Sequence, residues 1–200
     1  MVITVGGREP GRCVKVAVGL ACASIAIPLL SIAVAAVLSG WFNLYENALS
    51  DLGHATRSHV AWMFNLGLSA GGVLVVCVAV LYVLGVEKLV GVLLSLTGYS
   101  LVLVAVFDEV YGALHFIVSV LFFTLLLVVV LVYSARSRRR GLLLAALIVV
   151  ALNVVVWSLH FTTRVFRGAA IPELISIFTA IPFYLDATRR YSRLACQKRG

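Results

Sequence analysis

The sequence predicts an all-α, polytopic integral membrane protein: six transmembrane helices in one bundle, with both termini in the cytoplasm. Three observations carry this. Hydrophobic residues make up 62% of the 200-residue chain and charged residues 12%, against roughly 25% charged in a soluble domain; mean hydropathy is +1.11. The apolar runs reach the ~20 residues a helix needs to cross about 30 Å of hydrocarbon. They are continuous, without the alternation of a membrane barrel, and helices and closed barrels are the structures that satisfy their backbone polar groups in lipid.

A basic cytoplasmic leader over residues 1–13 precedes the first run, Val14 to Ser39. That run exceeds the ~7–15-residue core of a signal peptide and reads as a retained helix, in which Pro28 predicts a kink by removing a backbone hydrogen bond. A polar outer loop over 42–59 follows, FNLYENALSDLGHATRSHV in sequence. Ser58 is a candidate N-cap for the second helix, 60–84. A short turn, Gly85 to Lys88, leads to the third helix, 89–107, and the tight turn Asp108 to Gly112 to the fourth, 113–134. The fifth spans 142–163, and the sixth, 171–188, starts with Ile171-Pro172-Glu173, where proline near the first position and glutamate in the first turn are start signals. The transmembrane domain thus covers 14–188, and a basic, frayed cytoplasmic tail occupies 189–200.

Charge fixes the predicted orientation. Of the sixteen lysines and arginines, all but Arg57, Arg164 and Arg167 fall on the side of the termini, including the cluster Arg136 to Arg140. The positive-inside rule places that side in the cytoplasm and the chain in the cell membrane. The net charge of +8 then reflects topology and attraction to anionic headgroups, not nucleic-acid binding. Cys13, Cys22, Cys77 and Cys196 match no zinc ribbon or CxxC motif, and none lies in an outer loop, so they read as unpaired small hydrophobes. Gly67, Gly71 and Gly72 suit close helix packing.

The same topology gathers titratable groups at the outer end. All four histidines, His54, His59, His115 and His160, fall there, with Glu46, Asp51, Asp108, Glu109 and Glu173. Ionisable groups inside a span cost at least about 2.5 kcal/mol and face a cavity or a partner. His115 and Ser119 share a face of helix four; Asn153, Trp157 and His160 share a face of helix five. A hydrated pocket among helices three to six follows, with the Asp51 loop folding over it. Each member also has a structural explanation. Asp51 can cap a short loop helix, Glu173 can complement a helix dipole, His54 and His59 can be interfacial loop residues, and His115 and His160 can make interhelical hydrogen bonds.

The segments Asn47-Ala-Leu-Ser-Asp-Leu-Gly53, Asp108 to Phe123 (DEVYGALHFIVSVLFF) and Ile171-Pro-Glu173 resemble the signature blocks of a prokaryotic, largely archaeal, family of six-helix membrane proteins known as domain of unknown function 998. The resemblance implies the six-helix fold and a polar outer site containing Ser50, Asp51, Asp108, His115, His160 and Glu173. It implies no activity. More distantly, the residue types resemble those of alkaline ceramidases and adiponectin receptors, which set a serine, an aspartate and three histidines around zinc. This chain departs from them in having six helices, no H-x-x-x-H pair in the last helix and no third histidine within a span.

Three functions remain open. The first is a metal-assisted hydrolase or transferase on a lipid-like substrate, with zinc on His115, His160 and Asp108 or Glu173 and with Ser50 and Asp51 as catalytic groups, Asp51 as base. The second is a b-type haem or quinone-linked electron-transfer subunit with His115 and His160 as axial ligands. The third is a non-catalytic accessory subunit or small-solute permease. Aspartates beside the histidines favour zinc over haem, and no phosphate-binding glycine loop points to nucleotides. The expected partners are the bilayer, a lipid-like substrate and a further copy or membrane-complex subunit.

Overall fold

The computed structural model describes residues 10–163 and 165–198; the first nine residues of the basic leader, together with Arg164 and Arg199 of the charge count, lie outside these. Among the described residues six α-helices form: α1 (Pro10–Ser39), α2 (Ala61–Val78, continued by a π-helical turn over Ala79–Val83), α3 (Lys88–Val106), α4 (Ala113–Ser137), α5 (Arg140–Thr163) and α6 (Ala170–Gln197). Each is long and apolar enough to cross a membrane, and no strand occurs among the described residues. The start of α1 and the end of α6 meet at one end of the bundle, called here the terminal end. Two short 3₁₀ turns, Leu49–Gly53 and Glu109–Tyr111, lie at the other, distal end.

Small residues set the helix spacing. Gly67 and Gly71 of α2 face Ser31 and Pro28 of α1, and Gly72 lies against Gly98 of α3, where a Cβ on either would meet the other's carbonyl oxygen. Backbones approach this closely because lipid supplies no hydrophobic drive and packing must do the work. Pro28 is therefore inside α1 and buried in the α1–α2 contact. An apolar cluster around Leu52, Phe64, Val118 and Phe122 fills the distal half, and one around Val83, Leu94, Tyr133 and Phe183 fills the terminal half. α5 is the least buried span, with only Ala146 and Asn153 buried.

Several boundaries differ from the sequence expectation. Ser58 does not cap α2: its hydroxyl is buried without a partner among the described residues, and its carbonyl accepts the turn's bond from Ala61 N (3.2 Å). The basic run does not separate α4 from α5 by a loop. α4 continues to Ser137, Arg138 takes a left-handed conformation (φ 57°), and α5 starts at Arg140. The tail is not frayed, since α6 runs to Gln197 with Ala187, Thr188, Tyr191, Ser192, Ala195 and Cys196 buried. These recur at helical spacing and form a buried stripe of mostly small residues that the basic residues between them conceal in a hydropathy reading.

Cys13 and Cys196 are also not unpaired: they form a disulfide, with Cα atoms 6.0 Å apart, that joins α1 to α6 across 183 residues. Cys22 and Cys77 remain free. Elsewhere on α6, Asp186 accepts hydrogen bonds from Tyr133 and from Arg139, and Arg190 Nη1 donates to the Ser137 carbonyl at 3.1 Å. A carboxylate within a span is tolerated when so paired.

Closing a 183-residue loop removes much denatured-state entropy, at most about 5 kcal/mol in the chain-entropy treatment. Reductant should lower the thermal midpoint of the wild-type protein in detergent and leave that of Cys13→Ser unchanged. Equal midpoints with and without reductant would show that the bridge contributes nothing.

Candidate functional site

The distal end is built by two loops that clasp each other. In the loop after α1, Asn43 and Asn47 turn the chain through side-chain bonds to Tyr45 N (2.8 Å) and Asn43 N (2.9 Å). The loop before α6 then pairs with it: Gly168 N donates to Tyr45 O (2.9 Å) and Ala170 N to Asn47 O (3.0 Å). Glycine is required at 168, because a Cβ there would overlap the backbone of Asn47. The Glu173 side chain, buried in the first turn of α6, reaches across and accepts a hydrogen bond from Leu49 N at 2.7 Å. This contact seats the 3₁₀ turn on the bundle, with Leu49, Ser50, Leu52 and Gly53 buried.

Ser50 is thereby delivered to the second turn, where its hydroxyl donates to Glu109 Oε1 at 2.6 Å. The same oxygen lies 3.4 Å from His115 Nε2. His115 Nδ1 faces the Phe107 carbonyl at 2.7 Å; a carbonyl only accepts, so Nδ1 carries a hydrogen. Nε2 faces both Ser119 Oγ (3.2 Å) and the Glu109 carboxylate. Ser50, Glu109 and His115 thus form one polar cluster, buried at Ser50 and His115.

This cluster lies on the wall of a 430 Å³ cavity lined by Ser50, Glu109, His115, Ser119, Asn153, Trp157, His160 and Glu173. The wall formed by α5 and α6 is a second polar network: Trp157 Nε1 donates to Ser176 Oγ (3.0 Å), which bonds Asn153 Oδ1 (2.6 Å). The His160 ring lies edge-on to Trp157, centroids 5.8 Å apart, and its Nδ1 is buried without a hydrogen-bond partner among the described residues. Phe116, Val120, Val154 and Phe161 also line the cavity and are exposed on the bundle surface. The cavity therefore opens sideways between α4 and α5, towards the surface that lipid would cover.

The residues singled out in the sequence separate into two groups. Ser50, His115, His160 and Glu173 line the cavity; Asp51 and Asp108 do not. The Asp51 carboxylate turns back on its own loop, accepting from Ala48 N (2.9 Å) and Asn47 Nδ2 (3.1 Å). Asp108 caps the second 3₁₀ turn by accepting from Val110 N (2.8 Å). Each carboxylate is thus engaged within its own turn. His54 and His59 bond Thr56 and the Leu38 carbonyl within the exposed loop region.

The expected metal set of His115, His160, Asp108 and Glu173 is not assembled. Among the described residues no three histidine, cysteine, aspartate or glutamate side chains converge on one point. Capping holds Asp108 away, and the Phe107 carbonyl and Glu109 occupy His115. The residues do not fit a zinc ion with three protein ligands.

Glu109 is the functional candidate that the sequence reading left out. The Asp108-Glu109 pair contained a usable signal: aspartate is the preferred cap, which leaves the adjacent glutamate for the site.

A family described as "Protein of unknown function (DUF998)" matches residues 21–185. No curated protein and no solved structure matches the chain.

Glu173→Ala should leave Leu49 N buried without an acceptor and cost about 1–3 kcal/mol, whereas Glu173→Gln retains an acceptor and should lie close to wild type in thermal unfolding. Gly168→Ala should destabilise by about 1–3 kcal/mol through overpacking. Wild-type midpoints for Glu173→Ala and Gly168→Ala would contradict the clasp.

Proposed function

The chain belongs to the DUF998 family, whose description assigns no function, and from that premise we propose that it is a membrane-embedded hydrolase or transferase for lipid-like substrates. The observation that carries this is the Ser50–Glu109 hydrogen bond of 2.6 Å, with His115 at 3.4 Å from the same carboxylate oxygen, on the wall of a laterally open cavity. A nucleophile in contact with a base, itself in contact with a third group, is the general arrangement of covalent catalysis.

In this reading Ser50 Oγ passes its proton to Glu109 and attacks an electrophilic carbon or phosphorus. The leaving oxygen departs with that proton, and the Ser50 adduct is released by water in a hydrolase or by an acceptor hydroxyl in a transferase. His115, fixed by the Phe107 carbonyl, compensates charge on Glu109. His160 also lines the cavity and supplies a contact for the substrate head. On the orientation that the charge bias favours, the substrate enters from the leaflet on the distal side. The haem alternative is less well supported, because both His115 ring nitrogens are already engaged.

The test is turnover of a panel of lipid esters by the purified protein in lipid nanodiscs. Ser50→Ala should abolish turnover, Glu109→Gln should lower kcat by about 10²–10⁴ with little change in KM, and chelator should have no effect. Full activity in Ser50→Ala would overturn the assignment, and loss on chelation would return the reaction to a metal.

A further inference from the structure

Behind the polar cavity lies an apolar one, and four residues, Ser50, Ser119, Phe123 and Glu173, line both. The inner cavity runs down the bundle to Ser24 and Tyr184, whose hydroxyls lie 3.1 Å apart and form a polar floor. Its sides are hydrocarbon, with Pro28, Leu94, Leu126 and Ile177 among them. Glu173 and Tyr184 both lie on α6, and at 1.5 Å per residue the depth between them is about 16 Å. At 160 Å³ against 430 Å³ for the polar cavity, it is a slender slot along that depth.

An empty apolar cavity forfeits the dispersion contacts of its lining, and water does not settle in one without polar partners. A hydrocarbon chain satisfies both conditions. We propose that the inner cavity holds the single acyl chain of the substrate and so selects its length. This rests on the function proposed above and gives its substrate class: a single-chain acyl ester. The ester carbonyl sits at the neck, against Ser50. The acyl chain lies in the slot, and the alcohol portion lies in the polar cavity beside His160 and Glu109. The depth corresponds to a chain of about ten to fourteen carbons, with bonds of about 1.5 Å taken in zigzag.

Attack by Ser50 forms the Oγ–acyl bond and breaks the ester bond. The alcohol leaves with the proton taken up by Glu109, and water then releases the fatty acid and restores Ser50.

The experiment uses the full chain in nanodiscs of a two-chain, ether-linked phospholipid, with 1-monoacylglycerols from butyryl to stearoyl as probes. Thermal midpoint and glycerol release are both read. Wild-type protein should show an optimum near lauroyl in both. Ala180→Leu, which places a branch about 10 Å below Glu173, should move the optimum to shorter chains. Leu126→Phe, from the opposite wall, should do the same should the first variant fail to fold. Equal handling of all chain lengths, or an optimum that neither variant moves, would overturn the slot while the proposed function stands. No stabilisation and no release with any probe would overturn both.

Discussion

The distal end depends on one buried contact, the hydrogen bond from Leu49 N to the Glu173 carboxylate. A carboxylate under a loop and between helices is costly unless its bonds are made there. Its partner is a backbone N–H 124 residues earlier in the chain, so making the bond fixes the first 3₁₀ turn relative to α6. Once the turn is fixed, Leu49 and Leu52 fill the distal core and Ser50 can only face Glu109. The pairing of Gly168 and Ala170 with the same loop supports that seat from the side. Chemistry and architecture therefore share residues, and Glu173 serves both by lining the cavity as it holds the loop.

The terminal end is held by different means. There the disulfide joins the first and last helices, and Arg139, Tyr133 and Asp186 bind α4 and the start of α5 to α6. α5 is left as the lightly packed element, tied to α6 through Asn153, Trp157 and Ser176. A bundle closed by a covalent clamp at one end and open beside α5 at the other can admit a ligand without loosening its core.

The six spans were legible because hydrocarbon compatibility is a local property of composition. The polar faces of α4 and α5 were legible because helical spacing alone places His115 with Ser119, and Asn153 with Trp157 and His160. What failed depended on turns and on long-range pairing. As acids near histidines, Asp51 reads as a base and Asp108 as a metal ligand; in the structure each satisfies the backbone of its own turn. Glu109 looked incidental because only the capped turn aims it at Ser50. The Cys13–Cys196 bridge could not be read at all, since nothing local says that the chain's first and last helices meet. The terminal turns of α6 were hidden by their arginines, although the 187, 191, 195 spacing of buried residues was present.

The central claim is that Ser50 is an activated nucleophile reached from the lipid. Treating the protein in nanodiscs with a long-chain alkyl fluorophosphonate and locating the adduct by peptide mass spectrometry measures this directly. The account predicts one adduct, on Ser50, formed slowly in Glu109→Gln. An unmodified Ser50, or labelling indifferent to Glu109, would contradict it.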